Sequence, residues 1–134
     1  MSVFFSPKNN PRVIIVQKLY GNFFNREDIL SFPKHRFKKF IKDVVTGTIE
    51  RDEFLTEEIK KTFGDEFSIE KTDKIFQVIL KSSTYEILYK PKLSLNIIIK
   101  EYLDASNFFL EFSQTKYLNA LIDKLGKNLR SKNE

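Results

Sequence analysis

Nineteen consecutive residues, Lys71 to Tyr89 (KTDKIFQVILKSSTYEILY), run without a Gly, Pro or Asn. That is too long for one strand, and no turn dipeptide divides it, although several of its residues favour β structure. The stretch therefore reads as a helix. Ile75, Phe76, Val78, Ile79 and Leu80 leave almost no polar side at its start, and a helix that is apolar nearly all round is a buried one. Ser82 and Ser83 follow, small enough to let neighbouring helices approach closely. Thr72 or Asp73 can cap the start, and Pro91 stops the helix after Tyr89. The rest of the chain has to wrap around this segment.

Other apolar repeats supply the wrapping. Asn10 followed by Pro11 is a helix start, because Asn accepts from orphan N–H groups and Pro needs no partner there. The first helix is expected from Arg12 to about Phe24, with Val13, Val16, Tyr20 and Phe24 on one face. A short connection ends at Pro33. Phe37, Phe40, Ile41, Val44, Val45 and Ile49 then repeat at three and four, predicting a second helix from Pro33 to Ile49. Lys34, His35, Arg36, Lys38, Lys39 and Lys42 crowd its first half. A third helix is expected from Asp52 to Phe63, ended by Gly64. After Pro91, Ser94 can cap a fifth, carrying Leu95, Ile98, Ile99, Tyr102, Ala105, Ser106 and Phe109. Ser113 can cap a sixth, with Leu118, Leu121, Ile122, Leu125 and Leu129 inward. The expected fold is all-α: one compact helical bundle over residues 1–134, built of two small helical halves. Residues 1–9 form an expected flexible arm and residues 130–134 a flexible tail. Ile75, Val78, Ile79, Phe40, Ile98 and Leu121 are the expected core.

Charge is unevenly spread. Residues 1–47 carry a net +6, residues 48–80 a net −4 and residues 81–134 a net +3. Basic ends around an acidic middle suit two kinds of partner, a polyanion and something basic. With no Cys, disulfides and thiolate metal sites are excluded. No signal peptide or span of transmembrane length is evident, so a soluble cytoplasmic protein with no membrane contact is expected.

Catalytic chemistry finds little to work with. The four Gly are scattered singly, so there is no phosphate loop. One His and no Cys cannot assemble a nucleophile set. His35 has no second strong metal ligand nearby in sequence and reads as incidental. Glu57 and Glu58 lie on a polar face. The residues favour a non-catalytic binding module without metal or cofactor.

The last third adds motifs to periodicity. Tyr85-Glu86-Ile87-Leu88, then Pro91, then IIIKEYLDASNFF, then Lys116-Tyr117-Leu118-Asn119-Ala120-Leu121-Ile122-Asp123-Lys124 resembles the NusB family of transcription antitermination factors. The family pattern there is a Tyr-Glu-Leu ending to the central helix, an Ile-x-Glu helix core, and Lys-Phe-Val-Asn-Gly-x-Leu-Asp. Ile99 and Glu101 match the second part; Lys116, Asn119 and Asp123 match the third. Arg12 with Val16-Gln17-Lys18-Leu19-Tyr20 resembles the family's first helix. The resemblance implies an all-helical fold and a non-catalytic role. The family pairs with NusE, a ribosomal protein of the small subunit. The pair binds single-stranded boxA RNA and helps the RNA polymerase antitermination complex resist termination.

Carried over by position, the resemblance places RNA binding on Lys8, Arg12, Tyr20, Lys116 and Tyr117. Cations neutralise phosphates, and an aromatic ring can stack on a splayed base. Asn119 and Asp123 are expected to make structural hydrogen bonds. The acidic head of the central helix, at Glu70 and Asp73, is the expected site for NusE. The chain departs from the family pattern in its arm, where only Lys8 and Arg12 are basic. It departs again at Phe76, where many members carry an acidic residue that helps bind NusE. Two alternatives share the fold. One is a helical interaction module that has lost RNA binding. The other is the NusB-like domain that precedes some ribosomal RNA methyltransferases, against which the chain's end at Glu134 and the missing cofactor loop count.

Overall fold

In a computed structural model of the chain, which describes residues 9–26 and 30–131, six helices pack around one core. They are α1 (Pro11–Phe24), α2 (Lys38–Glu50), α3 (Asp52–Phe63), α4 (Lys74–Tyr89), α5 (Leu95–Ser106) and α6 (Phe112–Ser131). Two short 3-10 turns, Gly64–Glu66 and Ile69–Lys71, lead from α3 to α4. There is no strand among the described residues. α4 touches each of the other five helices, so both halves of the bundle share it. Phe76 through Ile87 are all buried except Lys81. Ser82, Ser83 and Thr84 are fully buried, and their hydroxyls donate to carbonyls one turn back, at Val78, Leu80 and Leu80. Their small size thus reaches the core without leaving an unpaired polar atom.

Most helix boundaries follow local chemistry. The Asn10 side chain accepts from the N–H groups of Arg12 and Val13, with Pro11 in the first turn. Ser94 Oγ accepts from the Ile97 N–H at 3.2 Å. α2 begins later than its apolar repeat predicts. The N–H of Phe37 donates to His35 Nδ1 at 2.9 Å, while His35 Nε2 lies 2.8 Å from the carbonyl oxygen of Asn9. His35 thereby holds residues 35–37 in a turn ahead of the helix and ties them to the start of α1. A run of Lys and Arg is also unfavourable at the positive end of a helix, which disfavours extending α2 back to Pro33. α6 begins at Phe112, so Ser113 lies inside it and is not its cap. The Glu111 carbonyl accepts from Thr115, and the Glu111 N–H donates to Gln114 Oε1. At its other end α6 continues through Ser131, past the expected start of the tail. Arg130 there donates to the carbonyls of Ile87, Lys90 and Leu93.

The core contains Val78, Ile79, Ile98 and Leu121 as expected, whereas Phe40 and Ile75 are only half-buried and pack at its edge. Tyr20 and Phe24 extend the stripe of Val13 and Val16 in sequence but not in burial. α1 is buried only through Leu19, and the two rings meet edge to face at 4.9 Å outside the core.

Two glycines set how closely helices approach. Gly47 of α2 lies against the Tyr85 ring of α4, and Gly126 of α6 lies against Leu95 of α5; a Cβ at either would overlap its neighbour. Tyr85 is held in place by its hydrogen bond to Asp43 Oδ2 and by the stacked ring of Tyr89, whereas Leu95 is half-buried and has no such polar anchor. Gly47→Ala is therefore expected to destabilise the fold by about 1–3 kcal/mol through overpacking, despite the gain in helix propensity. Gly126→Ala should cost less. Urea unfolding of the two variants checks the order, and a stabilising Gly47→Ala would show that α2 and α4 do not meet there.

Candidate RNA and partner surfaces

The residues expected to share one RNA surface separate in space. Arg12 is inside the protein, 8% exposed. Its Nη2 donates to Glu86 Oε1 at 2.6 Å and its Nε to Oε2 at 3.3 Å, a two-point contact of guanidinium and carboxylate. Glu86 is 0% exposed and also accepts from the Tyr102 hydroxyl. The guanidinium lies 4.7 Å from the centre of the Phe40 ring. Burial works against the charge on Arg12, but the carboxylate of Glu86 more than offsets it and holds the Arg12 pKa above its ordinary value. Burial, reinforced by the Glu86 charge, pushes the Tyr102 phenol well up, so it remains a donor. Arg12 is thus committed to an internal ion pair, which corrects its placement on an RNA surface. Lys8 lies outside the described residues.

Tyr20 and Tyr117 lie on different sides of α4. Phe23, near Tyr20 on α1, has the Lys74 ammonium 4.5 Å from its ring centre, while Tyr117 stacks on Phe76 at 6.1 Å. Lys74 and Phe76 are two residues apart on one helix, roughly 200° around its axis. Tyr20 is therefore not part of a patch with Tyr117.

Lys116 and Tyr117 do form a coherent surface. Both are exposed and adjacent on α6. Tyr117 is 48% exposed, with one side of its ring supported by Phe76 and its edge by Phe67 at 6.0 Å. Phe67 in turn meets Phe63 at 5.4 Å. The aromatic series fixes the ring while leaving its other side to solvent. Phe67 and Phe76 are the supports that sequence reading missed. Because α6 starts at Phe112, Lys116 and Tyr117 occupy its second turn and not its first. The helix-end charge contributes less there, and the Lys116 ammonium supplies the positive field. Asn119 is exposed, and Asp123 pairs with Lys127 on the surface at 3.0 Å; among the described residues neither makes a structural hydrogen bond to another element.

Glu70 and Asp73 are exposed at the head of α4, close in sequence to the aromatic support. Glu70 is already engaged. Its Oε1 is 2.5 Å from Lys60 Nζ, its Oε2 accepts from Ser68, and the Lys60 hydrogen bond leads the causes that lower its pKa. Asp73 is the N-cap residue, yet its side chain makes no capping bond. Its carboxylate is the more available of the two. Among the described residues, no group of three or more His, Asp or Glu side chains is arranged to hold a metal. No helix among them is long and apolar enough to cross a membrane.

Comparison with known proteins adds the family. The model of the NusB family matches residues 9–127. A transcription antitermination protein NusB from Maricaulis maris is 26% identical over 136 residues, covering 89% of this chain and 85% of that protein. The protein of the same name from Sphingopyxis alaskensis is 26% identical over 93 residues, covering 69% of this chain and 62% of its own length. A solved structure of T. maritima NusB superposes with a TM-score of 0.76 at 17% identity, over 92% of this chain and 93% of that one, which shows a shared fold. With the family pattern matched along nearly all of its described length, the chain belongs to the NusB family.

Proposed function

We propose that the protein is a non-catalytic transcription antitermination factor. It binds single-stranded, boxA-type RNA together with the ribosomal protein NusE, as part of an RNA polymerase antitermination complex. Family membership supports the role, and the similar proteins are named for it. The observation that carries the RNA reading is Tyr117. A half-exposed ring backed by Phe76 and Phe67, with a free cation beside it, is a platform for one base and one phosphate. NusE is assigned to the neighbouring acidic surface at Asp73 and Glu70, whose charge would steer a basic partner. A second reading, an interaction module that no longer binds RNA, draws support from the withdrawal of Arg12 into the core.

Lys116 and Tyr117 should fail differently. Lys116→Ala is expected to weaken binding to many single-stranded RNAs alike and to flatten the salt dependence by roughly 0.7 in log–log slope. Tyr117→Ala should cost about 1–3 kcal/mol of affinity with little change in slope, and Tyr117→Phe should keep most of the affinity because stacking uses the ring. Titrations across salt with NusE present check this. Absence of RNA binding by the parent itself would support the second reading, whereas parental affinity in both Ala variants would place the RNA elsewhere.

The NusE surface has its own test. Reversing Asp73 and Glu70 to Lys should slow association with NusE about tenfold at low salt and much less at high salt. Asp73 should account for most of the loss, since Glu70 is already paired with Lys60. Unchanged association kinetics would place NusE elsewhere.

A further inference from the structure

Five cations sit at the entrance to α2: Lys34, Arg36, Lys38, Lys39 and Lys42. All five are exposed, and none takes part in an ion pair among the described residues. Asp43, the one acid on this part of α2, is occupied by Lys90 and Tyr85. Beside the cations lies a largely apolar groove of about 280 Å³, lined by Pro11, Arg12, Phe37, Phe40, Leu93 and Glu101. Phe37 is 37% exposed at its edge, with the Arg36 guanidinium 5.4 Å from the ring centre. The charge of Arg12 is neutralised by Glu86, and Glu101 places one carboxylate on the far wall. An exposed positive cluster with no carboxylate to neutralise it attracts a polyanion, and an aromatic edge between cations suits a base between phosphates.

The geometry points to a second surface for single-stranded RNA, with phosphates against Lys34, Arg36, Lys38, Lys39 and Lys42 and a base in the groove on Phe37. It is separate from the platform at Tyr117. That platform rests on Phe76 near the start of α4, whereas the groove lies by Lys90 and Leu93, just past its end. Phe76 and Lys90 stand at opposite ends of α4, so the two are about 21 Å apart along it. One extended strand could engage both. The choice of RNA as the polyanion rests on the function proposed above. A lipid surface fits less well, because membrane-surface binding wants a broad apolar face and here a groove of about 280 Å³ offers two rings and a carboxylate.

The test uses the full chain and a single-stranded RNA of about 20 nucleotides, long enough to cross several binding subsites. The triple variant Lys38→Gln, Lys39→Gln, Lys42→Gln is compared with the parent over a range of salt. All three side chains are exposed, so the melting temperature should not change. The log–log salt slope should fall by about 2, with affinity down at least about tenfold at low salt. Phe37→Leu should weaken binding with the slope unchanged. An unchanged salt slope in the triple variant overturns the proposal. So does binding of the parent to phosphatidylserine vesicles through these lysines with no binding to RNA. If the triple variant loses RNA while Tyr117→Ala does not, this surface stands and the Tyr117 platform fails; the reverse result sinks this surface alone.

Discussion

A single buried ion pair, Arg12 with Glu86, ties the start of the chain to its central helix across 74 residues of sequence. α4 alone could bury its Ile, Leu and Val residues against many partners. A fully buried carboxylate is less tolerant: left without a counter-charge it is very costly, and only an arrangement that returns a cation to it is acceptable. Arg12 supplies two N–H donors, Tyr102 supplies a hydroxyl, and Phe40 lies against the guanidinium. Those groups come from α1, α5 and α2, so the carboxylate fixes how three helices sit on the fourth. The cost of taking both charges out of water means the pair defines the arrangement more than it adds net stability.

The same pair decides which residues remain for function. With Arg12 turned inward, positive charge for a polyanion has to come from elsewhere, and the exposed cations near it belong to residues 34–42. The aromatic residues divide similarly. Phe63, Phe67 and Phe76 fill the region between α3, α4 and α6, and they leave Tyr117 standing on their outer edge. At Phe76, where the resemblance leads one to expect an acid, the chain has a ring that supports another ring. Acidic character at the head of α4 is left to Asp73 and Glu70.

The fold was legible because its signals are local and periodic. Three-and-four spacing marks every helix, and the caps at Asn10 and Ser94 and the stop at Gly64 need only their immediate neighbours. The errors fall where a distant contact overrides a local pattern. Arg12 reads as a surface cation in the first helix because nothing in its neighbourhood reveals Glu86. The usable signal was on the other helix: a carboxylate between Tyr85 and Ile87, within a helix that reads as buried, requires a partner. Tyr20 and Phe24 keep the apolar period of α1 but lie beyond the reach of the core. His35, set aside for want of catalytic partners, turns out to pin the turn before α2 through two backbone groups. Gly126, one of four glycines scattered singly in the sequence, sits where Leu95 crosses. The candidate surface was half-legible. Lys116 and Tyr117 followed from the motif, while Phe67 and Phe76 beneath them depend on tertiary packing.

Arg12 acts as an internal counter-ion. A double-mutant cycle over Arg12→Met and Glu86→Gln, read by urea unfolding, tests that most directly. Each single change should destabilise by about 3–5 kcal/mol, because it leaves a buried partner uncompensated, and the double variant should lose much less than the sum. Additive losses, or an Arg12→Met protein that is as stable as the parent yet no longer binds RNA, would contradict the account and return Arg12 to the RNA surface.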